Sequence, residues 1–592
     1  MTKTTIHAET AALVAEVHVA AGDAVAKGDL LLTTELMKMR QEIRAAADSV
    51  IDRVQVAVGD SIDVGMALVT LSAATGNIAR TGPPVAPPRD DLVEFRERMA
   101  LLDDAARPEA VAKRHAKGLR TARENIMDLL DEGSFQEYGA LAVAAMRSTR
   151  SLSDLQARTQ GDGIVTGIGT VSGRSIGVMA VDYMVLAGTQ GFNHHRKMDR
   201  LIEVARRDDL PLVIFAEGGG GRPNDHDVSD MMAAWLNVTS FRHFAAHQGP
   251  KIGIAAGYCF AGNAALFGVC DVRIATRDSY VGMGGPAMIE GGGLGKVAPT
   301  DIGPSAVQAA NGVIDILAED EAEAVAAARD LLGLGRIADR PAASAEALRD
   351  IVPPDRQLAY DMRHAIDALC DTGSFREFRR GFGTGMIAGF GRVEGRAVGI
   401  LANNPLYIGG AIDAAAADKG ARHLQLCDRW AVPVVTLCDT PGFMVGPEVE
   451  KTGQVAHVSR LFLAGAHFSQ PLVTVILRKA YGLGAMAMAG GGFDRPMLCC
   501  AWPTGEVGAM GLEGAVKLGA RDHLAAITDE AARTAEYDRL VAELYERGKA
   551  MNAASLLEFD AVIDPAETRM TIARTLAAAG PTVPGPRYVD AW

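Results

Sequence analysis

TGIGTVSGRSIGVMA, residues 166–180, returns as AGFGRVEGRAVGILA at residues 388–402. At an offset of 222, Gly167/Gly389, Gly169/Gly391, Val171/Val393, Gly173/Gly395, Arg174/Arg396, Gly177/Gly399 and Ala180/Ala402 are identical. The same offset lays LPLVIFAEGGGG (210–221) on VPVVTLCDTPGF (432–443). Apolar runs of this length between Ala-rich segments read as strands alternating with helices, so two related α/β domains are expected. DEGSFQE (131–137) and DTGSFRE (371–377) echo each other at an offset of 240, which places an insertion or deletion between them and the strand pair.

Continuing at 222, AGNAAL (261–266) falls on LGAMAM (483–488), with Gly262 over Gly484 and Asn263 over Ala485. In each copy an apolar strand (PKIGIAAG; PLVTVILR) runs into a small-residue turn and then a helix. Small residues let a ligand approach the backbone, and N–H groups at a helix start point outward without partners. Such donors suit an enolate oxygen, and one donor in a working site is worth roughly 10²–10³ in rate. One turn alone reads as tight strand–helix packing. Two at one offset read as a duplicated oxyanion site at Gly262–Asn263 and Gly484–Ala485.

A second, shorter repeat lies near the start. VHVAAGDAVAKGDLLLTT (17–34) matches VQVAVGDSIDVGMALVTL (54–71) at an offset of 37. Short strands with Gly-Asp turns predict a small β-sandwich of two similar halves. Between the halves sits TELMKMRQE (34–42), with Lys38 flanked by Met37 and Met39 at an exposed turn. Residues 73–90 carry Pro83, Pro84, Pro87 and Pro88 and read as a semi-rigid spacer. The expected boundaries are 1–72 for the carrier-like domain, 73–90 for the linker, and 91–345 and 346–592 for the two α/β domains.

The totals exclude several classes. At 592 residues the chain exceeds a single core of about 250–300 residues. A net charge of −14 argues against nucleic acid as the main partner. The start lacks a signal peptide, and the uncharged run 253–270 reads as a buried strand–turn–helix, because it is rich in Gly and Ala and holds Asn263. Seven cysteines without a CxxC pair suggest reduced thiols in a cytoplasmic protein and no metal centre. HExxH and GxSxG are both missing, and no nucleotide-binding domain for ATP is apparent. EGGGLGK (290–296) departs from a Walker A loop at Glu290 and Val297. GGGG (218–221), which includes Gly219 and Gly220, fits a phosphate cradle, a second wall of an acyl site or a flexible loop. Asn193-His194-His195-Arg196-Lys197 fits either a contact to nucleotide phosphates or a solvated helix face.

These motifs together resemble the biotin-dependent acyl-CoA carboxylases over nearly the whole chain. Residues 11–72 resemble a biotinyl carrier domain, marked by Met-Lys-Met between half-repeats. Residues 91–580 resemble the carboxyltransferase subunit of the propionyl/methylcrotonyl type, which has two crotonase-like domains. TARENIMDLLDEGSFQE (121–137), YDMR (360–363), CDTPGF (438–443), RKAYGLGA (478–485), AWPT (501–504) and DAVIDPAETR (560–569) carry that likeness. It implies biotin on Lys38 and transfer of CO2 from carboxybiotin to the α-carbon of an acyl-CoA through an enolate. Gly262 and Asn263 would hold the thioester oxygen, and Gly484 and Ala485 the ureido oxygen. Gly219, Gly220, Ala261, Tyr481 and Ala487 would line the substrates. The biotin nitrogen would take the α-proton, so no side-chain base is required. The implied partners are a separate biotin carboxylase using ATP and bicarbonate, a biotin protein ligase and further copies in a hexamer.

Three positions depart from the family. Leu36 replaces the usual Ala before Met-Lys-Met. Asn263 stands where many relatives have Gly, although its N–H is retained. Gly484-Ala485-Met486-Ala487 replaces Gly-Ala-Tyr-Asp, and with PAMIEGGGLG (286–295) this favours an acyl group larger or more apolar than propionyl. Two further readings stand beside the main one. The first is a decarboxylase or transcarboxylase running the same half-reaction in reverse. The second is an unmodified carrier-like docking module on a crotonase scaffold.

Overall fold

The computed structural model describes residues 3–74, 89–223, 225–228, 237–334 and 344–586. Most of the expected spacer, residues 75–88, lies outside them. The chain divides into two compact units, residues 1–94 and 95–592, with a helix Asp90–Ala100 crossing the division.

The first unit is the expected sandwich. One sheet orders strands Lys3–His7, Ala67–Ala73, Ser49–Val54 and Ala24–Val25; the other orders Met39–Arg44, Leu30–Leu36, Ala12–Val17 and Ser61–Ile62. Between them lies a core of Val14, Leu31, Leu32, Ile51, Ile62, Leu68 and Val69. The 37-residue repeat has a local cause. Gly22 and Gly59 turn the chain at φ 97° and 91°, conformations that suit glycine. The next residue in each copy then closes the turn with its side chain: the Asp23 carboxylate accepts from the Ala20 N–H at 2.7 Å, and Asp60 from Ala57 at 2.8 Å.

The second unit holds two sheets of one design. In the first half the order is Ile316–Ala318, Val272–Thr276, Lys251–Ala255, Leu212–Phe215, Arg174–Val181, Ile164–Val171 and Gln136–Tyr138. In the second it is Ala561–Val562, Leu498–Ala501, Leu472–Tyr481, Val434–Thr440, Arg396–Asn403, Met386–Val393 and Arg376–Phe378, with Glu506–Gly508 pairing off the path. Each sheet is parallel through its centre and closes with an antiparallel hairpin, the repeat at 166–180 and 388–402. The halves share a hydrophobic core in which Ile176, Val178 and Leu331 join Phe390, Leu424 and Val434.

The echo at 240 is explained by contacts. Asp131 accepts the N–H groups of Ser172 and Gly173 at the hairpin turn, and Asp371 does the same for Glu394 and Gly395. Arg329 then donates to Leu129 O and approaches Asp131 at 3.4 Å, while Arg569 donates to Leu369 O and to Asp371 at 2.8 Å. The aspartate and arginine keep one offset and the hairpin another, yet the three-part contact survives.

Candidate active site

Each half ends its central strands in the same arrangement. In the first, strand Leu212–Phe215 leads through Glu217 to Gly218–Gly221. Gly218, at φ 108°, donates to Tyr258 O and accepts from the Phe260 N–H at 2.9 Å. Strand Tyr258–Phe260 is followed by Ala261, whose φ of 49° and ψ of −115° turn the chain sharply into helix Gly262–Gly268. A Cβ on Gly220 would lie 2.7 Å from Ala261 Cβ and 3.5 Å from Gly262 N, so the glycine loop is a wall against the turn.

The second half repeats the wall at the same offset, while its helix begins at Gly482, two residues before the position matched to Gly262. Strand Val434–Thr440 leads to Gly442, at φ 118°, and Phe443; strand Leu472–Tyr481 leads to helix Gly482–Met488. A Cβ on Gly484 would lie 2.7 Å from Gly442 Cα and 3.1 Å from Phe443 N. The supporting bonds match as well: Gln190 donates to Gly220 O at 2.9 Å and Ile412 to Gly442 O at 3.0 Å. Gly188 and Gly410, both at positive φ, begin those segments. Neither helix can satisfy its own first N–H groups, so each turn presents donors beside a glycine wall.

Buried carboxylates anchor both strand ends. Glu217 meets Arg114 through both oxygens, at 3.1 and 2.8 Å. Burial pushes its carboxyl up to about 7, against the pull of that guanidinium. Asp439, at the matching place, meets Arg478 at 3.1 Å and Lys479 at 2.7 Å.

The structure brings Gly219, Gly220, Ala261, Gly262 and Asn263 together, and sets Gly484 against Gly442, with Ala485 buried behind it in the core. The Asn263 side chain is enclosed and points back into the protein, binding the glycine loop rather than facing outward. Two residues expected to line substrate sit inside the fold. Tyr481 is buried with its hydroxyl donating to Glu506 at 2.8 Å, and Ala487 belongs to the hydrophobic core. The exposed side chains of that helix are Leu483 and Met486. Gly442, Phe443 and Gln190 escaped the sequence reading. The 222 offset already lays Gly442 under Gly220 and was a usable signal for it, whereas Gln190 has no local mark.

Both readings of residues 193–197 are corrected. His194, His195 and Lys197 are buried, and the lysine amine donates to Gly161 O at 3.0 Å and Ile164 O at 2.5 Å. Burial pulls His195 down to about 4 and Lys197 to about 8, while Arg196 alone of the five is exposed. Gly218–Gly221 is held by backbone bonds and is not a loose loop. The 290–296 segment begins in the last two residues of a short helix, Pro286–Gly291, instead of after a strand, so it lacks the setting of a phosphate loop. Residues 253–270 form strand, strand and helix, and no described helix is long and apolar enough to cross a membrane. All seven cysteines are buried, and none of them forms a disulfide.

A cavity of about 480 Å³, lined by Met146, Arg150, Leu186, Thr189, Arg222 and His226 among others, lies next to the first wall. Its Thr189 methyl is 3.2 Å from the Cβ position of Gly219. In the first unit, strands Leu30–Leu36 and Met39–Arg44 pair up to Leu36 and Met39, leaving Met37 and Lys38 as a two-residue turn. Both have positive φ, 51° and 66°, as the tight hairpin twist demands. Lys38 is exposed, and among the described residues its amine has no hydrogen-bond or ion-pair partner.

Two domain families match the chain: a carboxyl transferase domain over residues 113–582 and a biotin-requiring enzyme domain over residues 4–71. The chain therefore belongs to the carboxyl transferase family. Among its relatives is the biotin-dependent long chain acyl-coenzyme A carboxylase beta4 subunit of Mycobacterium tuberculosis (strain ATCC 25618 / H37Rv), 34% identical over 84% of this chain and 95% of the relative. A single-chain, multi-domain long-chain acyl-CoA carboxylase has a similar structure, with 47% identity and a TM-score of 0.79 over 97% of this chain; this chain spans 56% of that one. Transcarboxylase 12S, a hexamer described with methylmalonyl-CoA bound, gives 30% identity and a TM-score of 0.74 over 87% of this chain and 100% of its own. More specifically, a domain of the biotin-requiring enzymes is fused here to a carboxyl transferase domain.

Proposed function

We propose that Lys38 is the biotinylated residue, that the first-half turn at Gly262–Asn263 holds the acyl-CoA thioester oxygen, and that the second-half turn at Gly484–Ala485 holds the biotin ureido oxygen. The observation that carries this is the duplicated wall-and-turn contact, Gly220 on Ala261–Gly262 and Gly442 on Gly484, in a chain that also presents an unencumbered lysine at a hairpin tip. The hairpin fits biotin: its amine is exposed, and the positive-φ turn holds it clear of its own sheet. Biotin, when attached, supplies a ureido nitrogen able to carry a carboxyl group. The protein's part is electrostatic. Backbone N–H groups at the first turn meet the negative charge that develops on the thioester oxygen as the α-carbon becomes an enolate, and fixed donors there need no reorganisation.

The acyl chain is longer or more apolar than propionyl. Met283, Met288 and Leu294 expose large apolar side chains around helix Pro286–Gly291. This segment approaches the turn, since the Cβ position of Gly285 lies 3.4 Å from the Phe260 ring, just before Ala261. The two long-chain relatives agree with that choice. A separate biotin carboxylase supplies the carboxyl group from ATP and bicarbonate, and the assembly is a hexamer, as in transcarboxylase 12S. The reverse direction is the second reading, favoured by the likeness to that transcarboxylase.

The test is made on the full chain expressed with a biotin ligase. Avidin should retard it, and Lys38→Arg should abolish both the shift and carboxyl transfer. With biotin carboxylase and ATP, acyl-CoA-dependent bicarbonate fixation should rise along a series from propionyl to long-chain acyl-CoA. An avidin shift that survives Lys38→Arg refutes the carrier assignment, and fixation that falls along the series refutes the acyl preference.

A further inference from the structure

Asn263 and Gln190 form a polar knot beneath the first turn. The Asn263 side chain is 0% exposed. Its amide nitrogen lies 2.6 Å from Gly219 O, 3.0 Å from Glu217 O and 3.1 Å from Gly188 O, while its amide oxygen accepts from Gln190 Nε2 at 2.9 Å. One side chain thus ties the helix start to both segments of the wall. Gln190 is tied in from its backbone: it donates to Gly220 O at 2.9 Å and accepts from the Arg222 N–H at 2.8 Å. The fit is tight, because a Cβ on Gly262 would lie 2.2 Å from Gln190 Oε1. An amide NH2 has two hydrogens for these three carbonyls, so no donor capacity is left over for a ligand.

The second half has no such knot. At the matching positions stand Ile412 and Ala485, which keep the backbone bond and cannot form the side-chain one. A different side chain, Gln454, reaches Ile412 O at 3.1 Å and Met444 O at 3.3 Å, bracing the wall without touching the turn. The side-chain bond is thus confined to the half assigned the thioester oxygen, which takes up negative charge as the enolate forms. Donors that meet a developing charge must be held at a fixed spacing, and a misplacement of about 1 Å costs about 10²-fold.

We propose that the Gln190–Asn263 pair is a positioning clamp, setting the spacing between the Gly218–Gly221 wall and the first turn so that this half grips an oxyanion more tightly than a neutral carbonyl. The inference rests on the assignment of the acyl oxygen to this turn. Asn263 and Gln190 are positioning residues, since their side chains touch the site's backbone and not the substrate.

The test measures, on the full chain, binding of two probes: a CoA thioether ending in a nitronate, which mimics the enolate, and the same thioether ending in a neutral ketone. The variants are Gln190→Met, close in size and lacking the donor, and Asn263→Ala. Gln190→Met should weaken nitronate binding by roughly 10- to 100-fold, leave ketone binding within about threefold, and lower kcat with little change in the acyl-CoA KM. Asn263→Ala should do the same or more. If both probes weaken equally in Gln190→Met, or neither weakens, the clamp is refuted; a general loss of binding would mark a merely structural role. If the unaltered protein binds the nitronate no tighter than the ketone, the assignment of the acyl oxygen fails instead. Circular dichroism and the thermal midpoint identify a variant that has not folded, and Gln190→Met then decides alone.

Discussion

Gly484→Ala adds one methyl group at the closest approach in the second half. The new Cβ would stand 2.7 Å from Gly442 Cα and 2.8 Å from Gly442 C. Carbon atoms in ordinary contact are about 3.5–4.0 Å apart, so the wall must retreat by roughly 1 Å. Both neighbours are backbone atoms, and the wall is held by the bonds from Ile412 N–H to Gly442 O at 3.0 Å and from Met444 N–H to Ile412 O at 2.9 Å. It cannot yield as a side chain would. A displacement of about 1 Å in a site that works by fixed geometry costs about 10²-fold, or roughly 2.7 kcal/mol in the barrier. The assay is acyl-CoA-dependent carboxyl transfer by the biotinylated full chain supplied with biotin carboxylase. We expect kcat to fall by about two orders of magnitude while the acyl-CoA KM holds, because the acyl group is assigned to the other half. Gly514→Ala is the control: that helical glycine has open space around its Cβ position, so the change should be neutral or stabilising by up to about 1 kcal/mol. Turnover of the Gly484→Ala protein within about threefold of the parent, with its fold intact, would refute the reasoning.

Arg569→Met should lower the second unit's stability by about 3–5 kcal/mol, because it strips a buried partner from Asp371 and the bond to Leu369 O; the urea midpoint measures it. Lys419, buried with its amine donating to Arg379 O at 2.9 Å, is pulled down to about 7 by desolvation. The unfolded chain keeps that lysine protonated to about pH 10, so above 7 the unfolded state binds more protons and stability rises with pH. Lys419→Met should flatten the rise of the urea midpoint between about pH 7 and 8.5. Met37→Asn should raise the carrier's thermal midpoint, since Asn tolerates the positive φ at the hairpin tip and relieves about 1 kcal/mol of strain, as calorimetry on the full chain would show.

What could be read without coordinates was what neighbouring residues dictate. A Gly-Asp turn needs one glycine at positive φ and one carboxylate three residues from its donor, so both copies at 20–23 and 57–60 were legible, and with them the sandwich and the exposed Lys38. The strand pair at 166–180 and 388–402 repeats closely enough to announce two α/β halves, and the 222 offset led to both turns. The tertiary structure decided everything that depends on distant segments meeting. Asn263 reads as a backbone donor in sequence, yet its side chain binds carbonyls at Gly188, Glu217 and Gly219 that only sheet packing brings near. His194, His195 and Lys197 read as polar surface, because their burial is set by a neighbouring segment, Gly161–Ile164, that covers the helix. Tyr481 and Ala487 sit in the expected motif but are buried, Tyr481 bonded to Glu506 and Ala487 in the core, because how the strand end and the helix pack sets where their side chains go. Repeats and turns are local and survive as patterns; burial and long-range hydrogen bonds arise when separate segments close on one another, and for those the fold itself is the evidence.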